Sequence, residues 1–233
     1  GGNILGRLPY NTGRIGSPFR AAAGLITNDN FNDVIIPMGS KLAFLTGGSF
    51  KDLLLVNDGL GNLIVSEVLN TLPLDNTQDI ELADFDNNGK LDVALANAAG
   101  GLCGQPDLVY FQMPTGIVPY YLPQQDTEIT KDIEVGDIDG DGDPDIVAAN
   151  VPGASVCTPP GGISKLYIND YRQTGQQQFH DGTNGPGTGL PATSLSQIEL
   201  ADIDNDSDLD IIGAGQDYVL GVAYVKVFIN DGL

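Results

Sequence analysis

Residues 136–150 read GDIDGDGDPDIVAAN, with five aspartates in nine positions followed at once by an apolar run. No lysine or arginine is interleaved with them. Crowded carboxylates repel one another, so the stretch calls either for a cation among the oxygens or for a solvated acidic turn. The alternate spacing of the aspartates, with Gly142 between them, decides in favour of a loop folded around a cation. DIVAAN then reads as a short strand buried on both faces.

The same pattern recurs along the chain. DIELADFDNNGKLDVALAN (79–97), DIEVGDIDGDGDPDIVAAN (132–150) and QIELADIDNDSDLDIIGAG (197–215) align directly, and AAAGLITNDNFNDVIIPM (21–38) is a weaker fourth copy. The aspartates opening the apolar strand are Asp33, Asp92, Asp145 and Asp210, spaced by 59, 53 and 65 residues. Internal self-similarity at such a period marks a repeat architecture. Each repeat offers an alternating strand before the loop and the apolar strand after it. A third strand follows (52–59, 107–116, 165–171 and 226–232), then a more variable fourth, such as 62–69 or 117–123. NDG at 57–59 and 230–232 is a hairpin signal. No stretch has helical apolar periodicity, and the expectation is an all-β chain: a β-propeller of four four-stranded repeats, in one domain spanning 1–233.

Each loop offers oxygen ligands in series. The third repeat places Asp137, Asp139, Asp141 and Asp145 at positions 1, 3, 5 and 9, with the carbonyl of Asp143 at position 7. The second offers Asp84, Asp86, Asn88 and Asp92 with the Lys90 carbonyl, and the fourth Asp202, Asp204, Asp206 and Asp210 with the Asp208 carbonyl. A hard cation such as Ca²⁺ takes six to eight oxygens, and such loops supply them. Gly89 and Gly142 permit the turn, whereas Ser207 is forced into a conformation that glycine tolerates better. The third loop is therefore expected to bind tightest. Leu25 and Thr27 replace two carboxylates in the first repeat, where no metal is expected despite Asp29, Asn30 and Asn32. An EF-hand would need Glu at position 12, where Leu95, Ala148 and Gly213 stand.

The motif D-x-D-x-[DN]-G-x-[LP]-D, the apolar strand after it and the LYIND-type strand beyond resemble the FG-GAP/VCBS repeat of integrin-α-like β-propellers, over residues 21 to 233. The resemblance implies about three calcium ions, a structural or adhesive role, and a location outside the cell or on its surface. The chain has 31 acidic and 10 basic residues, a net charge of −21, which disfavours a nucleic-acid backbone or an anionic membrane as partner. No apolar stretch is long enough to cross a bilayer as a helix. Three divalent ions would cancel six of those charges where repulsion is greatest.

Other residues carry less. Glu81, Glu134 and Glu199 each precede a loop by three residues, either ringing a central channel or forming a solvated acidic face; Ala22 stands there in the weak copy. His180 is the lone histidine and has no catalytic neighbour in the sequence, and GTNGPGTG lacks a phosphate-loop context, so no enzyme is expected. Cys103 and Cys157 occupy the same connection in adjacent repeats, as a bridge or as two thiols. Asn205-Asp206-Ser207 is a glycosylation sequon, discounted because it lies inside a loop.

GGNIL at the start and NDGL at the end, placed end to end, reproduce NDGLGNLIV of the first repeat closely, and 17–25 resembles an outer strand and corner. The N-terminal segment 1–24 is thus expected to supply the last repeat's final strand. In its own chain it would close a ring; in a neighbouring copy it would build a head-to-tail filament; the third alternative is a fragment of a longer propeller. The alternative function is a propeller module that binds carbohydrate or another surface protein, with Tyr120, Tyr121 and Tyr171 as candidate contacts. A polysaccharide lyase-type enzyme ranks below it, since ten Lys/Arg and one His are too few to furnish a catalytic cleft.

Overall fold

The computed structural model describes residues 17–18, 20–27, 29–39, 52–66, 76–98, 105–114, 116–123, 129–152, 162–183, 190, 193–217 and 220–232. They form an all-β structure of four antiparallel sheets plus a two-stranded ribbon, β1 (Ser17–Pro18) with β4 (Met38–Gly39). Sheet 1 is β2 (Ala22–Gly24), β3 (Asp33–Ile36), β5 (Leu53–Asn57) and β6 (Leu63–Ser66). Sheet 2 is β7 (Thr77–Ala83), β8 (Asp92–Asn97), β9 (Leu108–Met113) and β10 (Gly116–Tyr121). Sheet 3 is β11 (Ile129–Gly136), β12 (Asp145–Val151), β13 (Lys165–Asn169) and β14 (Phe179–Asp181). Sheet 4 has three strands, β15 (Gln197–Ala201), β16 (Asp210–Asp217) and β17 (Val222–Phe228). Each aligned sequence copy thus opens one sheet.

Two boundaries differ from the sequence reading. β17 begins four residues before 226, because Val222 and Tyr224 pair with Asp217 and Gly215. The chain after β13 turns into one helical turn, α1 (Tyr171–Thr174), closed by left-handed Gly175, whose N–H donates to the Tyr171 carbonyl.

β8 and β12 are buried along their whole length. Their alternate residues serve two cores: Val93 and Leu95 pack toward Ile35 and Leu54 of sheet 1, while Ala94 and Ala96 join Ile146, Ala148 and Tyr167 of sheet 3. Val147, Ala149 and Leu166 meet Leu195, Ile198 and Ile211 at the third core. A strand buried on both faces must be apolar at both parities, hence the unalternating runs DVALAN and DIVAAN.

Hydrogen bonds repeat between the sheets as the sequence does. The hydroxyls of Thr77 and Thr130 donate to Asp52 (2.8 Å) and Asp107 (2.7 Å) of the preceding sheet, and Leu195 N–H donates to the Ser164 hydroxyl (3.0 Å). At the other end of the strands, Asn169 Nδ2 donates to the Phe85 carbonyl (2.8 Å) and Asn230 Nδ2 to that of Ile138 (2.7 Å). β2 packs on β7, β7 on β11 and β11 on β15, so the first strands of the four sheets stand in one row.

Candidate metal-binding loops

Each loop joins the first strand of its sheet to the second, across residues 84–91, 137–144 and 202–209. Two left-handed residues fold each one: Asn87 and Gly89 (φ 51° and 82°), Gly140 and Gly142 (76° and 90°), Asn205 and Ser207 (66° and 85°). The first aspartate accepts N–H groups across the turn. Asp84 takes those of Asn88 and Gly89 (2.9 and 2.7 Å), Asp137 that of Gly142 (2.9 Å), and Asp202 those of Asn205 and Ser207 (2.7 and 3.2 Å).

Carboxylate oxygens converge within 4.8 Å in three groups: Asp84, Asp86 and Asp92; Asp137, Asp139 and Asp145; Asp202, Asp204 and Asp206. The convergence is incomplete relative to the expected ligand sets. Asn88 turns its amide to the Gln112 carbonyl (3.0 Å), and Asp141 accepts from Gln173. Asp210 lies outside its loop's group. The seventh residues, Lys90, Asp143 and Asp208, each donate their N–H to the fifth side chain, at 2.8, 2.7 and 3.0 Å. In the first repeat Asp29 accepts from Phe31 N–H (2.8 Å), and no such group forms among the described residues.

The strand-opening aspartates have a second task that sequence reasoning missed. Asp33, Asp92, Asp145 and Asp210 are fully buried, and each accepts two backbone N–H groups, one from the corner before it and one from the end of the third strand. The pairs are Thr27 and Asn57, Phe85 and Gln112, Ile138 and Asn169, Ile203 and Asn230, all between 2.7 and 3.0 Å. The signal lay in the sequence: this aspartate persists in the copy that has lost the first two loop carboxylates, to Leu25 and Thr27.

Two oxygens test whether a cation fits. Asp86 Oδ1 and Asp137 Oδ1 are buried and make no hydrogen bond, each within a converging group. A buried carboxylate oxygen without a partner is costly, and a cation among oxygens resolves it. Burial also pushes Asp92 up to about 7 and Asp145 up to about 8, with the neighbouring loop carboxylates adding to the rise against the backbone N–H donors. An all-oxygen set around such groups suits a hard divalent ion.

Three polar residues near α1 reach these loops. Arg172 Nε lies 3.0 Å from Asp143 Oδ1, and its guanidinium rests against Gly142, where a side chain would collide. Gln173 donates to Asp141, and Gln177 to Asp86 Oδ2 (2.9 Å). Asn87 Nδ2 donates to Asp143 Oδ1 (2.6 Å), joining the second loop to the third.

The glutamates stand on β7, β11 and β15. Arg20, unremarked in the sequence, bridges Glu81 (3.1 Å) and Glu134 (3.3 Å) beside a cavity of about 500 Å³ lined also by Asp79, Lys131, Asp132 and Glu199. Tyr120 is packed against Phe111 and Phe179, Tyr171 opens α1, and Tyr121 is exposed. His180 Nδ1 lies 2.8 Å from Asp170 on the surface. Cys103 and Cys157 fall outside the described residues.

Residues 137–213 match the FG-GAP-like repeat family. The matched span runs from the first aspartate of the third loop, through sheet 3 and the fourth loop, into β16. No curated protein sequence matches the chain. Among the described residues no helix is long and apolar enough to cross a membrane.

Proposed function

We propose that the chain is a calcium-stabilised structural or adhesive module of the extracellular space or cell surface, without enzymatic activity. Its four sheets are the blades of a propeller-type domain. Asp84, Asp86 and Asp92, Asp137, Asp139 and Asp145, and Asp202, Asp204 and Asp206 each hold one Ca²⁺; Asn88, Asp141 and Asp210 and the carbonyls of Lys90, Asp143 and Asp208 complete the shells. The observation that carries this reading is the pair of buried, unpartnered oxygens on Asp86 and Asp137 inside two of the converging groups. A location outside the cell accords with the acidic surface and with calcium as the stabilising ion. Head-to-tail assembly is the specific form of the structural role.

The packing of Tyr120 into the aromatic core removes one of the three contacts considered for a sugar-binding surface. Isothermal titration of the chelated chain with CaCl₂ tests the metal reading. About three ions per chain are expected, and loss of one in Asp137→Asn; an unchanged titration in that variant and in Asp84→Asn would refute it.

A further inference from the structure

Thirteen residues before each strand-opening aspartate stand Arg20, Asp79, Asp132 and Gln197, and eleven before it Ala22, Glu81, Glu134 and Glu199. The cavity of about 500 Å³ lies among these positions, and its size is that of a small-molecule site. Four carboxylates line it, Asp79, Asp132, Glu134 and Glu199, against two cations, Arg20 and Lys131, which leaves a charge of −2 when all are ionised. Both cations are engaged. Arg20 bridges Glu81 and Glu134, and Lys131 Nζ donates to Gln78 Oε1 (3.3 Å). Among the described residues no cation bridges Glu134 and Glu199 as Arg20 bridges Glu81 and Glu134.

One oxygen in this wall lacks a donor. Asp79 is 2% exposed; its Oδ2 accepts from Ile133 N–H (3.3 Å), while its Oδ1 is buried and makes no hydrogen bond. The neighbouring carboxyl of Asp132 is no partner to it while both are ionised. Asp132 is itself tied to Ile198 N–H (2.8 Å), so neither carboxyl can swing away without losing a link between first strands. A donor entering from the cavity resolves the cost of that oxygen.

The remaining wall is apolar and shares a sheet face with the acids. On sheet 4, Glu199 stands opposite Ile212, Gln197 opposite Ala214, and Ala214 opposite Val225, which is 70% exposed.

We infer that this cavity binds a linear aliphatic diamine or polyamine, with its ammonium groups among the carboxylates of Asp79, Asp132, Glu134 and Glu199 and its methylene chain along Ile212, Ala214 and Val225. The site is separate from the metal loops and does not depend on their occupancy.

Charge and shape select this class. A doubly charged chain matches the −2 of the cavity, and its methylenes match the apolar wall. A metal ion fits less well, because these carboxylates do not form one of the groups that converge within 4.8 Å. A neutral sugar would leave the acids unpaired, and no aromatic ring stands among the lining residues to stack on it.

The experiment is isothermal titration of the full chain with putrescine and with spermidine, in excess CaCl₂ and at a constant ionic strength of about 0.15 M, where exposed charges beyond roughly 8 Å are screened. One saturable site per chain is expected, with ethylamine bound at least tenfold more weakly. Glu199 and Val225 are exposed, so their variants should fold and melt as the natural chain does. Glu199→Gln should weaken putrescine roughly tenfold, the order expected when one charged hydrogen bond is lost. Val225→Arg places a guanidinium in the cavity and should abolish binding. Heats that never saturate, or equal affinities in the natural chain and both variants, overturn the site. Asp137→Asn keeps this reading apart from the metal reading. Putrescine affinity unchanged in that variant is expected whether or not a calcium ion is lost, and its loss there would put the amine in the loops and overturn the cavity.

Discussion

Ser207 holds φ 85°, where an L side chain is strained, while Gly89 and Gly142 occupy the same loop position at 82° and 90°. Replacing Ser207 with glycine removes roughly 1 kcal/mol of strain, partly offset by the greater freedom of the unfolded chain. Ser207→Gly should therefore raise the denaturation midpoint and the calcium affinity of the fourth loop; unchanged values of both would show that no strain is stored there. Asp79 offers a second test. Burial, followed by the carboxyl of Asp132, pushes it up to about 7, while Ile133 N–H at 3.3 Å opposes the rise. Its folded pKa lies above the unfolded value, so the folded state binds the extra proton between about pH 4 and 7. The stability it contributes is complete below that window and is lost as pH rises through it. Asp79→Asn should gain on the natural chain between pH 5 and 8 in denaturant melts, and a constant difference across that range counts against the buried pair. Residues in register across the repeats were legible in the sequence because their spacing repeats. Arg20, Arg172 and Gln177 were not, since each acts on a partner brought near only by the packing of sheets.

At the scale of elements, the sheets adhere through apolar cores and through small polar clasps at both ends of the strands. Alternation before each loop and an unbroken apolar run after it identified first and second strands, because those periods follow from one-sided and two-sided burial. The limits of the third strands were less legible. β17 extends back to Val222 through pairing with β16, which a window on KVFINDG does not contain. The Thr130–Asp107 clasp was invisible for a related reason, with 23 residues between its partners. Thr130→Val keeps the shape and removes a donor from a buried carboxylate, at a cost of about 1–3 kcal/mol. Thr130→Ser should recover most of it. A chemical denaturation series on the two variants checks this, and equal losses in both would assign the effect to packing.

For the molecule as a whole, the decisive quantity is the net charge of −21, since much of it lies in three loops at one end of adjoining sheets. Without cations these loops set carboxylates within a few ångströms of each other, and repulsion there opposes the corners that Asp92, Asp145 and Asp210 tie to the third strands. An ion held at a free concentration a hundredfold above its Kd adds about 2.7 kcal/mol per site to folding. Chelation should thus lower the melting temperature markedly. Two additions separate the causes. Molar NaCl shortens the Debye length to about 3 Å and relieves repulsion, so it should restore part of the lost stability without restoring the loops. Magnesium carries the charge of calcium but demands a tight octahedron, and loops built for more numerous, longer bonds should respond to it weakly. Calorimetry of the chelated chain with each salt reads the order directly: calcium first, then NaCl or magnesium well behind. Equal rescue by NaCl and calcium would mean that the loops are acidic turns relieved by screening alone.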